Sequence, residues 1–203
     1  MRYNERVIGP SENLELIRRI LGSSYLELRL TKLGTEEVPE LAAKVTVDMT
    51  ENGTAATLEC EGVGPIDALW GALVGRYARE YQSLKSIELA GFTVSATIGS
   101  KRRKAGLDAL GRVEVAVNNS EGKRFTFTDE SRSVTVSAAH AVIAVAEYFV
   151  NAERAFVTVF NARKDALARG RSDLVARYTA ELSEVVKSTS YAEVIEALRK
   201  ELG

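Results

Sequence analysis

The segment Glu61-Gly62-Val63-Gly64-Pro65-Ile66-Asp67-Ala68-Leu69 carries the sharpest chemical signal in the chain. A strand-like run ends there, two glycines turn the backbone, and a proline stands where a helix begins. Glycines let a backbone come close to a ligand, and the unpaired N–H groups of a first helical turn attract a carboxylate or a phosphate. The third glycine of a dinucleotide fingerprint would fall at Asp67, and no Lys-Ser or Lys-Thr pair follows, so the turn is neither a Rossmann nor a P-loop phosphate site. Asp67 repels a phosphate but tolerates a ligand that brings its own ammonium group. A zwitterion such as an amino acid therefore suits the turn better than a nucleotide; a strand-to-helix turn without a ligand is the other reading.

Little else in the chain could do covalent or metal chemistry. Its 203 residues include one histidine and one cysteine. That supply is too small for a metal site, and a lone His140 would have to serve any Ser-His-Asp arrangement in a sequence with no G-x-S-x-G elbow. His140 lies in a run rich in Ala and Val and reads as structural; Cys60 stands on the apolar phase of a strand and reads as a small core residue. The inventory predicts a non-catalytic chain without metal or cofactor.

Lys101-Arg102-Arg103-Lys104 is the one dense basic run, and with no interleaved aromatics it reads as a solvated turn. With 27 Lys+Arg against 28 Asp+Glu the net charge is -1, so nothing pulls the whole chain towards nucleic acid or anionic lipid. Residues 1–10 lack the apolar core of a signal peptide. Ala138–Val150, the most apolar stretch, has His140 and Glu147 within it and falls short of the about 20 residues of a membrane span. The expectation is a cytoplasmic protein that meets no membrane.

The elements that must position the glycine turn follow from periodicity. Leu14, Ile17, Ile20 and Leu21 form a short helical stripe stopped by Gly22. Alternation at Leu26, Leu28 and Leu30, at Val45, Val47 and Met49, and at Ala56, Leu58 and Cys60 predicts three half-buried strands. After the glycine turn, Ile66, Leu69, Leu73, Tyr77, Tyr81 and Leu84 predict a helix. The same order then recurs: Phe92 to Ile98, Val113 to Val117, Phe125 and Phe127, and an Ala/Val-rich helix from near Ser137. Placing Val45 on Val113 gives an offset of 68 residues and lays Leu26, Leu28 and Leu30 on Val94, Ala96 and Ile98. The fold class is α+β: two βββα units with helices packed on sheet, related by a pseudo-twofold axis. The expected organisation is a helical segment over residues 1–22, the duplicated core over 23–152 and a helical extension over 153–203. That extension has stripes at Phe156, Val159, Phe160 and Leu167, then at Leu174 to Val185, and a capping box at Ser190-Tyr191-Ala192-Glu193 opening a last helix.

The segments EGVGPIDALWGAL, FTVSATIG and AGLDALGRVEVAV, with a second Ala-rich helix ending at Asn151, resemble the C-terminal regulatory domain of isopropylmalate synthases and their citramalate synthase relatives over about Tyr25 to Ala152. The resemblance implies a dimerising domain that binds an end-product branched-chain amino acid, leucine or isoleucine. It implies a pocket built by Gly62, Val63 and Gly64, by Leu89, Phe92 and Ala96, and by Asp108 and Ala109. In that family the synthase reaction belongs to a TIM barrel with a His-x-His metal pair, for which this sequence has no counterpart. The implied protein is a homodimeric amino-acid sensor that acts on a partner, such as a separate synthase subunit. The alternative is a dimerising scaffold that has lost its ligand, a reading favoured by Val63 and Phe92, where the family commonly carries a polar residue and a tyrosine.

Overall fold

A computed structural model describes residues 11–96 and 110–187. Helix α1 (Ser11–Leu21) leads through a short 3-10 turn into the antiparallel strands β1 (Leu28–Glu36), β2 (Ala43–Glu51) and β3 (Thr54–Gly62), followed by α2 (Pro65–Tyr77). A second 3-10 turn (Gln82–Ser86) leads into β4 (Glu88–Ala96), β5 (Gly111–Asn118) and β6 (Arg124–Ser131), followed by α3 (Val134–Ala168) and α4 (Ser172–Val186). The two βββα units of the α+β fold are therefore present. Each three-stranded sheet keeps its middle strand between the other two. The expected stops hold: Gly22 and Gly170 end their helices at φ +52 and +67, where an L side chain is strained.

The alternation expected of the strands is realised as a one-sided core. Val45, Val47 and Met49 of β2, and Val113, Val115 and Val117 of β5, are buried, with Phe125 and Phe127 of β6 beside them. Helix α2 packs on β2 and β3, α3 packs on β5 and β6, and the two helices pack on each other. Phe125, Tyr148 and Phe149 meet in edge-on and tilted contacts under the second sheet.

The repeat is more exact in register than a single offset allows. Leu30 pairs with Met49 and Leu89 with Val117, so the middle strands superpose at 68 residues but the first strands at 59. Leu30, Leu33 and Thr35 thus fall on Leu89, Phe92 and Val94, which corrects the expected placing of Leu26, Leu28 and Leu30. The difference of nine residues lies in the connection between β4 and β5, which carries the Lys101–Lys104 run and lies outside the described residues. Both first strands also carry the same irregularity, between Leu30 and Lys32 and between Leu89 and Gly91. One extra residue at the same place in both units is the structural signature of duplication.

Three helical expectations change. Helix α2 ends at Tyr77 rather than continuing to Leu84, because the Gln82 and Ser83 amides donate to Glu153 instead of to a preceding helical turn. Helix α3 begins at Val134, where the Ser133 hydroxyl accepts from the Val136 amide, not near Ser137. It also runs unbroken through Asn151 to Ala168, packing its later turns on α1 and α4. Its length and composition would allow a membrane crossing, but 67% of its most apolar window is buried within the fold, as in a core helix. The capping box at Ser190 and the helix after it lie outside the described residues.

Candidate functional site

The glycine turn joins β3 to α2 at the end of the first sheet. Gly62 pairs with Ala43 across the sheet while its backbone presses on the first turn of α2: a Cβ there would lie 2.5 Å from the Ala68 nitrogen. Only glycine fits. Gly64 is the N-cap, Pro65 occupies the first helical position, and the Gly64 carbonyl accepts the Ala68 amide at 2.9 Å. Asp67 reaches back to take the Val63 amide through Oδ2 at 3.1 Å. Its carboxylate thus already closes the turn, in the manner of the acidic member of a capping box. The Ile66 and Asp67 amides belong to a first turn whose N–H groups have no intrahelical acceptor. Val63, at the apex, is 94% exposed.

Leu89 and Phe92 lie on β4, an edge strand of the second sheet. Leu89 pairs with Val117, Phe92 with Val115 and Val94 with Val113, so all three occupy the same phase as the buried core of β5. Yet Leu89 is 36% exposed, and Phe92 and Val94 are each 47% exposed. Val134 extends this strip: it packs over Gly111, whose partner across the sheet is Ala96. The corresponding strand of the first sheet is better covered, with Leu30 and Leu33 half-buried and α3 packed on β1. Helix α3 holds the start of β1 through Glu147 and Asn151, and among the described residues α2 makes no comparable packing on β4.

Within one chain, the glycine turn and β4 belong to different sheets, and among the described residues neither β3 nor α2 packs on β4 to an extent comparable with the packing inside each unit. Leu89 and Phe92 share a face, and Ala96 ends the same strand. Gly62, Val63 and Gly64 form the separate turn. Asp108 and Ala109 lie outside the described residues.

The remaining reactive side chains are engaged in structure. Cys60 is half-buried, its thiol donates to the Val45 carbonyl at 3.6 Å, and burial pushes its pKa up, away from the reactive thiolate. His140 is exposed and lies 3.4 Å from Asp129. No cluster of metal-ligating side chains occurs among the described residues. Burial, and then the hydrogen bond to Glu147, raises the Tyr25 pKa and keeps its phenol protonated. A cleft of about 440 Å³ beside Tyr25 is lined by Arg18 and Glu27, but Arg18 stacks on the Tyr25 ring and Glu27 is paired with Arg29.

Sequence reasoning missed the polar grips of α3 on both sheets. Glu147 and Asn151 hold the backbone ahead of β1, and Glu153 holds the turn ahead of β4. The signal available was three polar residues in an otherwise apolar helical run.

The family model for the LeuA allosteric (dimerisation) domain matches residues 10–150, which spans α1, both sheets, α2 and the first half of α3. No curated protein matches the chain.

Proposed function

The chain belongs to the LeuA allosteric (dimerisation) domain family, and from that premise we propose that it is a non-catalytic regulatory module that dimerises, binds an aliphatic amino acid and acts on a partner protein. The family is the regulatory part of its enzymes, not the catalytic part. The single observation that carries the ligand reading is the open apolar face of β4. Leu89, Phe92 and Val94 lie in register with a buried core but remain in contact with solvent. Covering such a strip with an aliphatic side chain is favourable by about 25 cal/mol per Å² of apolar surface removed from water.

The glycine turn supplies the complementary chemistry. Its first-turn amides can hold a carboxylate, and the free lone pairs of Asp67 can accept from an ammonium group. Because the turn and β4 are not packed together within one chain, a site using Gly62, Val63 and Gly64 together with Leu89, Phe92 and Ala96 is completed by a second copy. Asp108 and Ala109 would contribute from the connection that follows β4. The partner on which the signal acts is a protein carrying the catalytic function, such as a separate synthase subunit.

A second reading, a dimerising scaffold without a ligand, draws on Val63 and Phe92, neither of which offers a side-chain hydrogen bond. Thermal-shift screening of the aliphatic amino acids, alongside light scattering, separates the two. The sensor reading predicts a dimer whose Tm rises with leucine or isoleucine. A dimer whose Tm responds to none of them supports the scaffold.

A further inference from the structure

The regulatory reading needs a physical route from the open face of β4 to the rest of the molecule, and three side chains within two turns of α3 supply its parts. Glu153 is 4% exposed and takes the Ser83 amide at 2.9 Å, the Ser83 hydroxyl at 2.6 Å and the Gln82 amide at 3.3 Å, just ahead of β4. Asn151, fully buried, clasps Leu26 with two bonds of 2.8 Å, one from its amide group to the Leu26 carbonyl and one from the Leu26 amide to its Oδ1. Glu147 takes the Leu28 amide at 2.9 Å and the Tyr25 hydroxyl at 2.7 Å.

One helix thus holds the approach to the edge strand in both units, at Gln82 and Ser83 ahead of β4 and at Tyr25, Leu26 and Leu28 at the start of β1. The same helix continues into the packing with α1 and α4, where Ile17 and Leu182 are buried. Asn151 and Glu153 are buried and hydrogen-bonded, and Asn151 also donates to the Glu147 carbonyl at 2.9 Å, so these contacts tie both strand entries rigidly to one helix.

We propose that α3 is a coupling element: a displacement of the β4 entry, sensed at Ser83 by Glu153, is transmitted through Asn151 and Glu147 to Tyr25–Leu28 and α1. The inference rests on the reading above only for its input, the occupation of β4 by an amino acid or a second copy. The coupling belongs to the fold whether or not a ligand exists.

Native-state hydrogen exchange on the full, unliganded chain tests it. Ser83→Ala removes one bond to Glu153 while keeping both backbone bonds. Coupling predicts that the Leu26 and Leu28 amides exchange at least about fivefold faster than in the unsubstituted chain, the lower range of energetic coupling between sites. That excess is measured beyond any change at Val47 and Val115, which report global opening. The reverse variant, Glu147→Gln, should speed exchange at Ser83 in the same way. Changes confined to residues 82–88 in the first variant and to residues 25–28 in the second overturn the proposal. Amino-acid titration of the unsubstituted chain reads the input separately, so loss of the sensor reading and loss of the coupling give different results.

Discussion

Gly62 and Ala68 approach so closely that a Cβ on the first would sit 2.5 Å from the backbone nitrogen of the second and 2.8 Å from its Cα. The obstacle is helix backbone, which cannot swing aside as a side-chain tip can. Gly62→Ala should therefore cost about 3 kcal/mol, at the upper end for overpacking. Urea unfolding should show a lower midpoint with an unchanged m-value.

The open face of β4 should be functionally sensitive and structurally tolerant. Phe92→Ser, at a half-exposed position, should change stability by less than about 1 kcal/mol while removing the response to an aliphatic amino acid. Val115→Ala, directly opposite in register but buried, should cost about 2 kcal/mol. Chemical denaturation and thermal shift on both variants check the contrast.

Acid should weaken the junction between the β2–β3 hairpin and α2. Arg76 grips Glu51 with two bonds, one of 2.7 Å, and the Tyr77 hydroxyl donates to the same carboxylate. Arg76 first, then Tyr77, holds the Glu51 carboxyl below its usual range, with burial opposing. A carboxyl depressed by folding contributes its full stabilisation above its unfolded pKa and loses it as pH falls through the folded value. The pair is partly exposed, so solvent screening limits it to about 1 kcal/mol. Glu51→Gln should lower Tm at pH 7, and the gap to the unsubstituted chain should close on acidification below the usual carboxylate range.

The two helix starts should respond differently. Ser133 caps α3 through its hydroxyl, whereas Gly64 caps α2 with no side chain. Ser133→Ala should cost about 1 kcal/mol and Ser133→Gly only a few tenths, measured by urea unfolding.

Much of this architecture can be read from the chain itself. The alternations at Val45–Met49 and Val113–Val117, the Gly22 and Gly170 stops and the duplication all follow from local pattern. The register of the first strands does not, because one offset cannot see the nine extra residues between β4 and β5. Nor does the end of α2. Its apolar spacing continues to Leu84, but Glu153, some 70 residues away, takes the Gln82 and Ser83 amides that a longer helix would need. The glycine turn was evident from Gly-x-Gly-Pro. That Leu89 and Phe92 share one face could not be read from alternation, because they stand three positions apart and only the irregularity between Leu89 and Gly91 brings them into phase.

The most direct test of the sensor account is calorimetric titration of the purified chain with leucine and with isoleucine. The account predicts saturable binding of at least one of them, with Kd below about 1 mM, and its loss in Phe92→Ser. No measurable heat with either amino acid, in a chain that is folded and dimeric by light scattering, would contradict it.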